Sequence, residues 1–301
     1  MAIRVSDILL GRPNVFGRSP VRRVPPNVDI PKAPPRVSST SSTFWKILAK
    51  LDIQEYVTSL ICFAPSSKSF PTPKDKGIAH EEVFINTPDG ERLHGYFLPA
   101  KEDTDKVMLY LHGNDYNVDL WHEGATNIQD QVPVDSLIVD YRGYGKSTGK
   151  PTPNGIITDV LAMYDHLLQR GYKPENISVY GRSLGGGIAL ELASRVPVKS
   201  VVIQSSFFSL RDLKAIHLPK LPSFLVKGNF LNSKELIKSI HVPVLISHGT
   251  KDKKVPLEHA CQLFEVANEP KKLIILDGAG HEHLKDYYTE EYFNTLLELF
   301  L

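Results

Sequence analysis

Ser183 stands in the run Gly181-Arg182-Ser183-Leu184-Gly185-Gly186-Gly187, between a β-rich stretch, ISVY, and a helical one, IALELAS. A glycine inside a regular element is worse than alanine by about 0.5–1 kcal/mol, so four of them around one serine need a reason. A sharp strand-to-helix turn supplies it. Such a turn leaves the hydroxyl exposed above a sheet, at a helix N-terminus whose backbone N–H groups favour negative charge, and side chains beside it would strike the strand and the helix. A serine hydroxyl attacks a carbonyl only when a base takes its proton. The chemistry to look for is therefore acyl transfer, with a histidine as base and a carboxylate to orient it.

For a serine on this kind of turn the chain order is serine, acid, histidine. Downstream, VPVLISHGTKDKKVP ends an apolar run and places Asp252 in the loop behind it; KLIILDGAGHEHL does the same for His281. Asp252 is the expected acid, which holds and stabilises the imidazolium, and His281 the expected base. Asp212 is the runner-up acid, while His283 and His248 read as structural. The negative oxygen formed on attack needs fixed donors. The main-chain N–H of Leu184 is one, and that of Asn114, in the His112-Gly113-Asn114 turn, is the other. His112 itself reads as structural. The plainer alternatives are a tight glycine turn with a bystander serine and an ordinary strand-exit turn at Asn114.

These residues need a frame. Short apolar runs (KVMLYLHG, SLIVDYRG, NISVYGRS, VKSVVIQSS, VPVLISHG, KKLIILDG) alternate with amphipathic helical ones such as NGIITDVLAMYDHLLQRG and PLEHACQLFEVAN. Near-continuous apolar strands separated by helices mean a parallel sheet covered on both faces, with reactive residues at the strands' carboxyl ends. In front of them EEVFIN and ERLHGYFLP flank Asp89-Gly90 and read as an antiparallel hairpin. The expected class is α/β over residues 81–301. An insertion over 207–241 reads as a short cap, with Phe207, Phe208 and Leu213 as candidates to line an acyl pocket; the plainer reading has them covering the core.

Residues 1–40 are different: seven prolines, and seven basic residues against two acidic ones, a net +5 that leaves −4 on the remainder of a +1 chain. That composition reads as a flexible tail. Residues 41–80 read as a helical extension. Phe44, Ile47, Leu48 and Leu51 share one face, Ile53, Tyr56, Val57, Leu60 and Ile61 another, and Asp52 with Glu55 restarts the helix between them. Packing on the main domain is the plain expectation. A peripheral membrane contact through residues 1–63, with Cys62 as an acylation site, is the sharper one. The charge balance gives no case for nucleic acid. Two cysteines, no long apolar run and no apolar signal core point to a cytoplasmic protein, peripheral at a membrane in the sharper reading.

Together, YLHGNDYNVDLW, VDYRGYGKSTGKPT, VYGRSLGGG, ISHGTKDKKVP and DGAGHEHL resemble the α/β-hydrolase superfamily over about Glu81 to Leu301. The likeness is to the small abhydrolase-domain serine hydrolases, which include lipid esterases and protein depalmitoylases. The resemblance implies Ser183 as nucleophile, Asp252 as acid, His281 as base and main-chain donors at Asn114 and Leu184, with Tyr141 and Arg142 shaping the site. It implies hydrolysis of carboxylic esters or thioesters of a small or acylated substrate, with no cofactor and no metal. The chain lacks the N-terminal cysteine cluster of the depalmitoylases. A serine peptidase on the same fold and a non-catalytic binding protein are the alternatives.

Overall fold

The structure, a computed structural model, describes residues 53–301. Its centre is an eight-stranded sheet of order β1-β2-β4-β3-β5-β6-β7-β8. β1 (Glu81–Asn86) and β2 (Arg92–Leu98) form the expected hairpin, and β2 also runs antiparallel to β4 (Asp135–Val139). From β4 onward every pairing is parallel: β3 (Val107–Leu111), β5 (Ile177–Arg182), β6 (Ser200–Gln204), β7 (Val244–Gly249) and β8 (Lys271–Leu276).

Period-two alternation sorts the strands' apolar residues into two cores. Val107, Leu109 and Leu111 face one layer, with α3 (Pro153–Gln169), α4 (Leu184–Ala193) and α7 (Glu258–Val266). Met108, Tyr110 and Tyr180 face the other, with α2 (Val118–Gln129) and α8 (Glu290–Phe300). The sequence reading leaves α2 out. Its buried positions Val118, His122, Ala125 and Ile128 keep helical spacing, but Asp119 and Glu123 blunt the apolar signal. The mark that reveals it is Asn117, whose side chain accepts from the Asp119 N–H and caps the helix.

Between β6 and β7 lie α5 (Leu210–His217), a single turn at Ser223–Leu225 and α6 (Ser233–Leu236). Against this insertion rests α1 (Ile53–Cys62). Its inner face corrects the expectation: Thr58 and Cys62 are buried, whereas Tyr56 and Leu60 are 66% and 64% exposed. Polar ties orient the helix. Thr58 Oγ1 accepts from the Lys227 N–H at 2.8 Å, Glu55 pairs with Lys227 Nζ at 3.0 Å, and Gln54 Nε2 donates to the Phe224 carbonyl at 2.6 Å. Cys62 is 4% exposed and burial pushes its thiol up, so it is no surface acylation site. The face Phe44–Leu51, Asp52 and the tail 1–40 lie outside the described residues.

Candidate active site

Ser183 is the single residue between β5 and α4, at φ +55° and ψ −117°. Non-glycine residues held at positive φ store about 1–3 kcal/mol of strain; here the Ser183 N–H donates to the Gln204 carbonyl at 2.8 Å and fixes the turn to β6. Glycine is obligatory on either side. A Cβ on Gly181 would lie 2.1 Å from the Gly185 carbonyl oxygen, and one on Gly185 2.0 Å from that of Leu111.

Asp252 follows β7 and His281 follows β8, both at strand carboxyl ends. His281 Nε2 lies 3.1 Å from Ser183 Oγ, and its Nδ1 lies 2.7 Å from Asp252 Oδ2. An ionised carboxylate only accepts, so Nδ1 carries the proton and Nε2 is free to accept from the hydroxyl. Asp252 Oδ1 is held by the N–H groups of Lys254 and Val255, at 2.9 and 2.8 Å. Burial alone would raise this carboxyl. Hydrogen bonding from His248 and His281 and the Val255 N–H outweighs burial and holds it well below the ordinary carboxylate range. His248 Nε2, 3.3 Å from Asp252 Oδ2 and 2.8 Å from the Val255 carbonyl, is a support beneath the acid that the sequence reading did not assign.

His283 also lines the cavity, two residues beyond His281, whereas Asp212 and His112 lie elsewhere. Asp212 accepts from Ser209 Oγ at 2.5 Å in the first turn of α5. His112 is fully buried, its Nδ1 2.7 Å from the Gly113 carbonyl, and burial pushes it down to about 4. Tyr141 donates to the His112 carbonyl at 3.0 Å, and Arg142 binds Asp159 and Asp89, so both shape the loop after β4.

Asn114, Leu184 and Ser183 share one cavity wall. The Asn114 loop passes close to the serine, since a Cβ on Gly113 would lie 3.6 Å from Ser183 Cβ. The Asn114 side chain fixes the loop by accepting from the Ala64 N–H and the Tyr144 hydroxyl, both at 2.8 Å.

The cavity encloses about 640 Å³. One arm, under the insertion, is mostly apolar: Leu184, Phe207, Leu210, Leu213, Val255, and Ile61 from α1, with His217 beside them. The other runs along α2 past Trp121, Asn127, Arg182, Lys285 and Tyr288. Of the three pocket candidates, Phe207 and Leu213 line the cavity and Phe208 does not. The Phe208 N–H meets His259 Nδ1 at 3.2 Å, and the Phe208 ring lies under Lys234. Ile61 and Cys62 join the wall from a helix more than a hundred residues away, which no local pattern signals.

Residues 106–227 match the α/β-hydrolase fold family, and the sheet order with its serine turn is the architecture such a match requires. The chain belongs to the α/β-hydrolase family and is a hydrolase of that fold. It is 32% identical over 223 residues to an uncharacterized protein of Mycobacterium tuberculosis, covering 73% of this chain and 79% of that one. It is 29% identical over 227 residues to the human alpha/beta hydrolase domain-containing protein 17B, covering 72% and 77%. Among solved structures it is similar to the Pyrococcus furiosus esterase Pf2001, with a TM-score of 0.65 and 26% identity over 79% of this chain and 97% of that one.

Proposed function

We propose that the chain is a serine hydrolase that cleaves carboxylic esters or thioesters through an acyl-enzyme. The observation that carries this reading is the row Asp252–His281–Ser183, with contacts of 2.7 and 3.1 Å, opening onto a cavity with one apolar arm. In this reading His281 takes the serine proton as Oγ bonds to the carbonyl carbon. The main-chain N–H groups of Leu184 and Asn114 stabilise the oxyanion, and His281 returns the proton to the leaving oxygen or sulfur. Water, activated by the same histidine, then releases the acid. The arm lined by Phe207 and Leu213 takes the acyl chain.

Ser183→Ala is expected to abolish hydrolysis of short p-nitrophenyl esters and labelling by a fluorophosphonate probe while the protein stays folded. Retention of either activity removes the assignment, and turnover of peptides in place of esters makes the chain a peptidase. A series of acyl esters and thioesters then sets chain length and leaving atom.

The compartment we assign is the cytoplasm, at a membrane surface. Among the described residues no helix is long and apolar enough to cross a membrane. Supporting a surface contact, Tyr56 and Leu60 are exposed and follow in sequence the apolar residues Phe44, Ile47, Leu48 and Leu51. Sedimentation with anionic liposomes is expected to weaken in the double variant Tyr56→Ser, Leu60→Ser; equal sedimentation ends the membrane reading.

A further inference from the structure

Arg182, next to the serine, carries a charge that no carboxylate among the described residues meets in a direct ion pair. Its guanidinium lies on the α2-side wall of the cavity. Nη2 donates to the His281 carbonyl at 2.9 Å, the Trp121 ring lies 5.0 Å from the guanidinium carbon, and Tyr110 and Tyr288 are neighbours. Nε is buried without a partner. The carboxylate that acts on this arginine is that of Glu282, through space and without a hydrogen bond, and Glu282 is itself ion-paired to Lys254. The acids on the same arm already have cations: Glu123 pairs with Lys76, and Lys254 reaches Glu282 at 2.8 Å and Asp115 at 3.6 Å. Arg142 shows what this fold does with a structural arginine, giving it both Asp159 and Asp89.

A guanidinium keeps its charge at every accessible pH, and a charge drawn partly out of water with only a shared counter-ion is costly to hold. Such a cost persists in a cavity wall when a ligand supplies the missing partner. The geometry points to Arg182 as a specificity-determining residue: the α2-side arm takes a leaving group bearing an anionic substituent, a carboxylate or a phosphate, which pairs with the guanidinium. The inference rests on the serine-hydrolase reading. As Ser183 Oγ bonds to the carbonyl carbon, the bond to the leaving oxygen or sulfur breaks. That atom takes the proton from His281 and departs along α2 with its anion at Arg182. The acyl chain stays in the apolar arm.

The test compares three butyrate esters with leaving groups of one shape: 4-(butyryloxy)benzoate, its methyl ester, and 4-(butyryloxy)phenyl phosphate. The wild type is expected to show kcat/KM about tenfold or more higher for a charged ester than for the methyl ester, shrinking with added salt. Arg182→Met should erase that ratio and Arg182→Lys keep part of it; which anion leads identifies carboxylate or phosphate as the ligand. If Arg182 only positions the His281 loop, Arg182→Met lowers kcat for all three esters equally and the inference is overturned. It is also overturned if the wild type shows no preference. Calorimetry on wild-type protein covers a variant that does not fold: 4-hydroxybenzoate or 4-hydroxyphenyl phosphate should bind more tightly than methyl 4-hydroxybenzoate, and equal binding overturns the inference. Should the wild type hydrolyse no ester, the serine reading fails, while the same calorimetry still decides the anion site.

Discussion

Gly185 packs its Cα against the main chain of a neighbouring strand, so its missing side chain is a condition for the serine turn. A methyl there meets the Leu111 carbonyl, which cannot retreat without disturbing the β3–β5 ladder. Gly185→Ala is therefore expected to lower the denaturant midpoint and to lose fluorophosphonate labelling together, whereas Ser183→Ala loses labelling alone. Asp252→Asn should keep the fold and lower turnover by about 10³–10⁴-fold, because the amide favours the wrong imidazole tautomer; steady-state kinetics on the p-nitrophenyl esters check it. Ser183, Asp252 and His281 were legible in the sequence because each follows an apolar run that had to be a strand, and strand ends converge. Phe208, the contact of His248 with Asp252 and the lack of a direct ion pair at Arg182 were not. Which side a loop residue faces, and whether a cation finds its anion, are settled by long-range packing.

At the level of elements, the loop between β4 and α3 is held by one buried cation. Arg142 donates to Asp159, whose side chain is fully buried, at 2.7 Å, and to Asp89 of the hairpin turn at 2.8 Å. Arg142→Met leaves Asp159 buried and unpaired, and breaking such a pair from one side costs about 3–5 kcal/mol. Urea unfolding should show that loss, and Arg142→Met with Asp159→Leu should recover much of it. The strands and the hairpin were readable from period and turn chemistry, since burial on both faces writes itself as unbroken apolar runs. Two helices tested that approach. α2 hid behind its outward acids, and α1 docks through Thr58, Glu55 and Gln54, leaving the apolar Tyr56 and Leu60 outside. Apolar periodicity reports the inner face only where apolar contact does the docking.

For the molecule as a whole, a buried histidine contributes to the response to acid. His112 is pushed down to about 4 from 6.5 by burial, so below pH 6.5 the unfolded chain binds a proton that the folded chain refuses. Its stabilising share is complete above pH 6.5 and is lost as pH falls toward 4, on the order of 3 kcal/mol. Asp140, 3.4 Å from His112 Nε2 and raised by burial, works in the opposite sense: its share is present at low pH and lost as pH rises through its folded value. His112→Asn removes the histidine's titration, and the difference between the two stability curves reports it together with any change at its neighbour Asp140. Chemical unfolding at pH 7, 5.5 and 4.5 should show a shallower decline in the variant. The two arms of the cavity carry a consequence for traffic. In the proposed cycle the departing alcohol or thiol vacates the α2 groove while the acyl half remains parked beneath the insertion, so the vacated lane is open to whichever nucleophile enters next. Added short alcohols should then compete with water, diverting a rising fraction of turnover into transesterified product without changing the rate of the pre-steady-state burst in which the first leaving group is released.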